Sequence, residues 1–140
     1  MKPTFAEMFQ RLRLASGQTR SARTVEMFGW LILVEAVLIM FFPLTVMAVL
    51  GGGPLAPGEA NMFRLVAVLV GGVGMLYVVS GRLNSLGFTF ASLLDRPLVP
   101  PLMALLWWLD IVPGGLALAF SLQDFASFLW TFLAWRAEQG

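Results

Sequence analysis

The stretch LVPPLMALLWWLDIVPGGLALAFSLQDFASFLWTFLAW, residues 98–135, decides how the chain folds. It is about 38 residues long and carries only two charges, Asp110 and Asp124. A helix needs about 20 mostly apolar residues to cross about 30 Å of hydrocarbon. The stretch is therefore too long for one crossing and reads as a helical hairpin. Two breaks compete, Pro113-Gly114-Gly115 and the polar patch Ser121-Leu122-Gln123-Asp124. The patch is favoured, because it can solvate a turn and because Ser121 or Asp124 can cap the next helix. Pro113 then kinks the third helix rather than ending it. Working outward, Met27–Leu50 is a run interrupted only by Glu35 and Pro43, and Gly51-Gly52-Gly53-Pro54 ends it. Met62–Ser80 is a further run, with Arg64 in its first turn. The expected spans are about 27–50, 62–81, 98–120 and 123–136.

The rest of the 140 residues fits this plan. Hydrophobic residues make up 59% of the chain and charged residues 12%, against about 25% charged in a soluble domain. The mean hydropathy is +0.83. A soluble fold of this size cannot hide so much apolar surface. A soluble enzyme, a nucleic-acid-binding domain and a disordered chain are excluded. The absence of Cys and His removes disulfides, thiol nucleophiles, Ser-His triads and most metal sites, so neither a cofactor nor a metal is expected.

Charge placement tests the span count. With four spans, Lys2, Arg11, Arg13, Arg20, Arg23, Arg82, Arg96 and Arg136 share one side, and only Arg64 lies opposite. The positive-inside rule makes that side cytoplasmic, with both termini inside. No cleaved signal peptide is expected, since the first apolar run is longer than a signal core and 26 residues precede it. Residues 1–24 form a cytoplasmic unit: Phe5, Met8, Phe9 and Leu12 follow amphipathic helical spacing, which reads as a helix on the membrane surface, and a polar linker follows. Residues 25–140 form the membrane domain. The fold class is all-α, an integral membrane four-helix bundle with an N-terminal amphipathic surface helix.

Few side chains can carry chemistry. Glu35 lies roughly 12 Å and Asp110 roughly 18 Å along their helices at 1.5 Å per residue, about 6 Å apart in depth. Such acids are costly in hydrocarbon, and no base lies at matching depth. They read either as a proton-handling or cation-binding pair in a shared pocket, with Tyr77, Trp107 and Trp108 as further ligand-binding residues, or as interhelical glue. Arg82, Asn84, Asp95 and Arg96 lie at the cytoplasmic rim and suit a lipid head group or a brace of the loop 80–96. Asp95 ahead of Pro97 looks like the opening of the third helix. Ala67-x-x-x-Gly71, with Gly74, and Gly115-x-x-x-Ala119 allow close helix approach.

The four spans, the Arg82/Asn84 turn and the Arg96-Pro97 opening resemble the DoxX-like group of small bacterial inner-membrane proteins. That resemblance implies an inner (plasma) membrane protein, an accessory subunit in some cases tied to quinone-linked oxidoreductases. The chain also resembles, more distantly, the four-span sterol-isomerase-like fold, although it has no His. The leading expectation is a non-catalytic accessory or scaffold subunit of a larger membrane complex. Its partners would be membrane lipid, other integral membrane subunits or further copies of itself, with no nucleic acid. The alternative is a lipid- or hydrophobic-ligand-binding protein, or an isomerase-like enzyme, using Glu35 and Asp110.

Overall fold

A computed structural model describes residues 2–140. Among these residues the chain is all-helical: α1 (Phe5–Leu14), α2 (Arg20–Phe41), α3 (Pro43–Val49), α4 (Pro57–Arg82), α5 (Leu86–Asp95), α6 (Val99–Trp108) and α7 (Gly114–Gln139), with a 3-10 turn, Arg96–Leu98, joining α5 to α6. Three helices, α2, α4 and α7, are long and apolar enough to cross a membrane.

Local chemistry sets the boundaries. Thr4 and Glu7 form a reciprocal capping box that starts α1, and Ala15 in the left-handed region ends it. Thr19 caps α2 by accepting from the Ala22 amide. Pro43 has no N–H to continue α2, so the chain breaks at Phe42 before α3. Pro57 opens α4, where the Glu59 carboxylate accepts from the Ala56 amide at 2.7 Å.

The helices α5 and α6 form one rod. Asp95, Arg96, Leu98 and Val99 all keep right-handed helical torsions, so no turn or loop separates Leu86 from Trp108. The interruption comes from Pro97, Pro100 and Pro101, which between them remove three amide donors. At 1.5 Å per residue the rod is about 35 Å long.

Boundaries differ from the sequence expectation in every expected span: α2 starts at Arg20, inside the expected linker, and breaks at Phe42 rather than running to Leu50, and α4 starts at Pro57 rather than Met62. The break between the third and fourth apolar segments lies at Leu109–Pro113, not at 121–124. Asp110 adopts φ 56° and donates its amide to the Trp107 carbonyl at 3.0 Å, closing the helix in the way short polar residues permit. Ser121 to Asp124 stay helical, because Gln123 finds an internal partner in Glu35. The fourth segment is consequently the 26-residue α7, not the short 123–136. The third rod starts at the Ser85 cap rather than at Asp95 and Pro97, which shortens the expected loop 80–96 to Leu83–Ser85. Arg96 thereby leaves the loop and becomes wholly buried, at 0% exposure.

The most extensive packing is between α2 and α4. A methyl group on Gly29 would lie 2.6 Å from the Val78 nitrogen, and one on Gly81 2.6 Å from the Glu26 nitrogen, so the two backbones touch. Ala67, Gly74 and Ala36 pack in the same seam. Gly71 meets Ala36 at ordinary distance, and Gly115 lies against Leu50, the residue that follows α3. Val25, Phe28, Ile32 and Tyr77 form the core, flanked by Val70 and Phe88. Packed against it, α7 contacts α2, α6 and the 3-10 turn. Only 22% of the most apolar window of α4 and 17% of that of α7 is buried, so most of their apolar surface faces outward.

Candidate functional site

One face of α7 carries Gln123, Asp124, Ser127 and Thr131, at helical i and i+4 spacing. This polar stripe faces α2 and the 3-10 turn. At its upper end the Gln123 amide donates to Glu35 Oε2 at 3.1 Å. Glu35, Gln123 and Asp124 together edge a crevice of about 220 Å³ between α2, α4 and α7 whose other walls are Phe28, Ile32, Leu69, Val70, Val73 and Phe120. A smaller cavity of about 120 Å³, walled by Ile39, Val46, Leu50 and Ala119 among others, shares Glu35, Gln123 and Phe120 with it. Two carboxyl groups therefore converge on one apolar space.

Below the crevice sits Arg96. Its Nη1 donates to the Ser127 carbonyl at 2.9 Å and to Thr131 Oγ1 at 2.8 Å. Its guanidinium lies over the Phe28 ring at 4.4 Å and the Tyr77 ring at 5.1 Å, which supplies cation–π attraction in place of water. Nε and Nη2 have no hydrogen-bond partner among the described residues. The Thr131 hydroxyl is also hydrogen-bonded to that of Thr24 at 2.8 Å, and Thr24 bonds to the Ser21 carbonyl. Lower still, Glu138 receives the Ser21 amide at 2.7 Å and the Ser21 hydroxyl at 2.8 Å, capping α2 with a carboxylate from α7.

The basic end of the bundle holds a second polar cluster. Arg82 forms an ion pair with Glu26 at 2.7 Å and donates to the carbonyls of Leu12 and Arg13. Glu26 also accepts from Gln18 and from the Trp30 indole. Asn84, at φ 56°, accepts from both the amide and the hydroxyl of Thr19.

The candidates from sequence separate accordingly. Glu35 lines the crevice, whereas Asp110 is exposed on the α6–α7 turn and belongs to no cavity with it. The acid beside Glu35 is Asp124, which the sequence presents as a turn cap. Its signal is the stripe Asp124, Ser127, Thr131, legible once the segment is helical. Tyr77 is buried against Phe28 and Phe88, edge to face at 5.2 and 4.9 Å, and stays one layer behind the crevice. Trp107 borders a separate groove with Ala104, Gly114 and Ala117, and Trp108 is 77% exposed. Asp95 is exposed and forms no ion pair with Arg96, so the two do not brace a loop. Arg82 is braced instead by Glu26, which sequence reasoning misses together with Gly29, Gly81 and Glu138.

Comparison with protein-family models, curated proteins and solved structures returns no match to this chain. The geometry alone carries the functional argument.

Proposed function

We propose that this is a multi-pass membrane protein which binds an amphiphilic small molecule in the crevice between α2, α4 and α7. The helices α2, α4 and α7 and the rod Leu86–Trp108 would be its four crossings, with the basic end cytoplasmic. The observation that supports binding is the convergence of Glu35, Gln123 and Asp124 on a space otherwise walled by apolar side chains. A few polar groups at the edge of an apolar cavity fix the orientation of a ligand. The two carboxyls accept hydrogen bonds and attract positive charge, so the head group is an amine or another donor on an alkyl or ring body. Such a ligand reaches the crevice through the surrounding lipid.

The test uses the purified protein in mild detergent, with Trp130 kept as its single tryptophan, and titrates a brominated long-chain amine, reading quenching of Trp130, which lines a groove with Phe28 and Gln123. Saturable quenching is expected, weakened about tenfold or more in the Glu35→Gln/Asp124→Asn variant, since each hydrogen bond to a charged group contributes about 1.5–3 kcal/mol. Equal quenching by a brominated fatty acid, or an unaffected double variant, refutes the reading.

A second reading, a non-catalytic accessory subunit beside another membrane protein or a further copy, draws on α6, which buries none of its residues and turns Trp107 and Trp108 outward. Purification in mild detergent separates the two: a lone monomer argues against the subunit.

A further inference from the structure

The basic end of the bundle holds a pocket that the crevice reading does not use. It measures about 250 Å³ and is lined by Arg11, Ser16, Arg82, Leu83 and Asn84, from α1, the α1–α2 linker and the α4–α5 turn. Every polar side chain on this lining can donate a hydrogen bond, and no carboxylate lines it. The Arg11 guanidinium and the Ser16 hydroxyl make no hydrogen bond to any described residue. Asn84 has its amide orientation fixed by Thr19, whose two donors occupy Oδ1, so its NH2 group is the free end. Arg82 spends three of its N–H groups on Glu26, Leu12 and Arg13 and keeps two. The carbonyls at the end of α1 would repel an anion, but Arg82 takes those of Leu12 and Arg13, and the Ala15 amide takes that of Arg11. The nearest acids are already engaged: Glu26 by Arg82 and Gln18, Glu7 by Thr4.

We infer that this pocket binds a phosphate-bearing anion. On α1, Phe5 and Phe9, 87% and 60% exposed, lie on a face turned away from Arg11. The donors of the pocket suit the phosphate of a lipid head group and a free phosphate alike. The inference stands apart from the crevice reading, since the two sites share no residue.

The experiment takes the full chain in a neutral detergent and follows thermal stabilisation as dioctanoyl phosphatidylglycerol, inorganic phosphate or dioctanoylglycerol is added. Saturable stabilisation by the phosphatidylglycerol is expected, with dioctanoylglycerol inert. Arg11→Gln, an exposed change that gives up only the i, i+4 attraction to Glu7, weakens it about tenfold, whereas Arg20→Gln, which removes the same charge outside the pocket, changes it less than twofold. Inorganic phosphate that saturates and competes assigns a water-borne ligand; phosphate that fails to compete assigns the lipid head group. Equal losses in the two variants, or stabilisation by dioctanoylglycerol, overturn the proposal.

Discussion

Replacing Gly29 by alanine puts a methyl group 2.6 Å from the Val78 nitrogen and 2.8 Å from both the Gly74 oxygen and the Tyr77 Cβ. Two of these are backbone atoms of α4, so no rotamer change relieves the clash. Ordinary contact begins near 3.4 Å, so α2 and α4 must part by about 0.8 Å. A gap of that size forfeits a quarter to a half of each van der Waals contact it opens, at about 0.1–0.2 kcal/mol per atom pair. With roughly 50 such pairs across a seam of this kind, the loss is about 1–5 kcal/mol, in line with overpacked cores generally. Alanine returns up to about 1 kcal/mol of helix propensity, leaving a net destabilisation of about 0.3–4 kcal/mol. The control is Gly72→Ala on the same seam-forming helix, where the new methyl meets nothing within 4 Å. There only the propensity gain remains, and stability stays level or rises. Thermal melts of the two variants in one detergent should move in opposite directions. A Gly29→Ala protein at least as stable as wild type would refute backbone contact between α2 and α4.

Three further outcomes can be checked. Thr131→Val, nearly isosteric at a site with 0% exposure, leaves Arg96 Nη1 with only the Ser127 carbonyl and Thr24 Oγ1 with only the Ser21 carbonyl; a loss of about 1–3 kcal/mol is expected in denaturant titration, and an unchanged midpoint rejects the buried network. Arg82→Gln releases the end of α1, so tryptic cleavage at Arg11 and Arg13 should speed up about 5–30-fold, the factor that one to two kcal/mol confers; unchanged cleavage means α1 is held by other contacts. The Glu7 carboxyl is held below its ordinary pKa of 4.5, first by the Thr4 amide and then by the Thr4 hydroxyl, so its support of α1 is complete above pH 4.5 and disappears as pH falls through the lower folded value. Amide exchange over residues 5–8, corrected for intrinsic rates, should lose protection only in that acid range, and Glu7→Ala should abolish the pH dependence.

Much of the helix content is legible in the sequence. Long apolar runs and the amphipathic spacing of Phe5, Met8, Phe9 and Leu12 announce helices whatever surrounds them. Residues 98–135 mislead because two breaks are chemically acceptable and the choice depends on a partner far away. A lone Gln123-Asp124 pair looks like a turn, and only Glu35, 88 residues earlier, makes it tolerable inside a helix. Arg96 misleads for the same reason. A basic residue next to proline resembles a loop, whereas the rings of Phe28 and Tyr77 and the Thr131 hydroxyl let it lie inside the bundle. Glu35 stands out at once because an acid in an apolar run has no local excuse. Asp110 stands out on the same grounds, yet falls away once the turn moves onto it. Gly29 and Gly81 escape because close approach depends on which helix lies opposite, and one strand of sequence does not say.

The carboxylate of Glu138 clasps the first turn of α2 across 117 residues of chain. Closing so long a loop is entropically costly, so this contact forms only after the intervening helices have assembled. Until then the Ser21 amide faces water. The clasp thus works as a completion signal: a molecule lacking it carries the same helices but leaves its two extremities unlocked, the state a quality-control protease would find first.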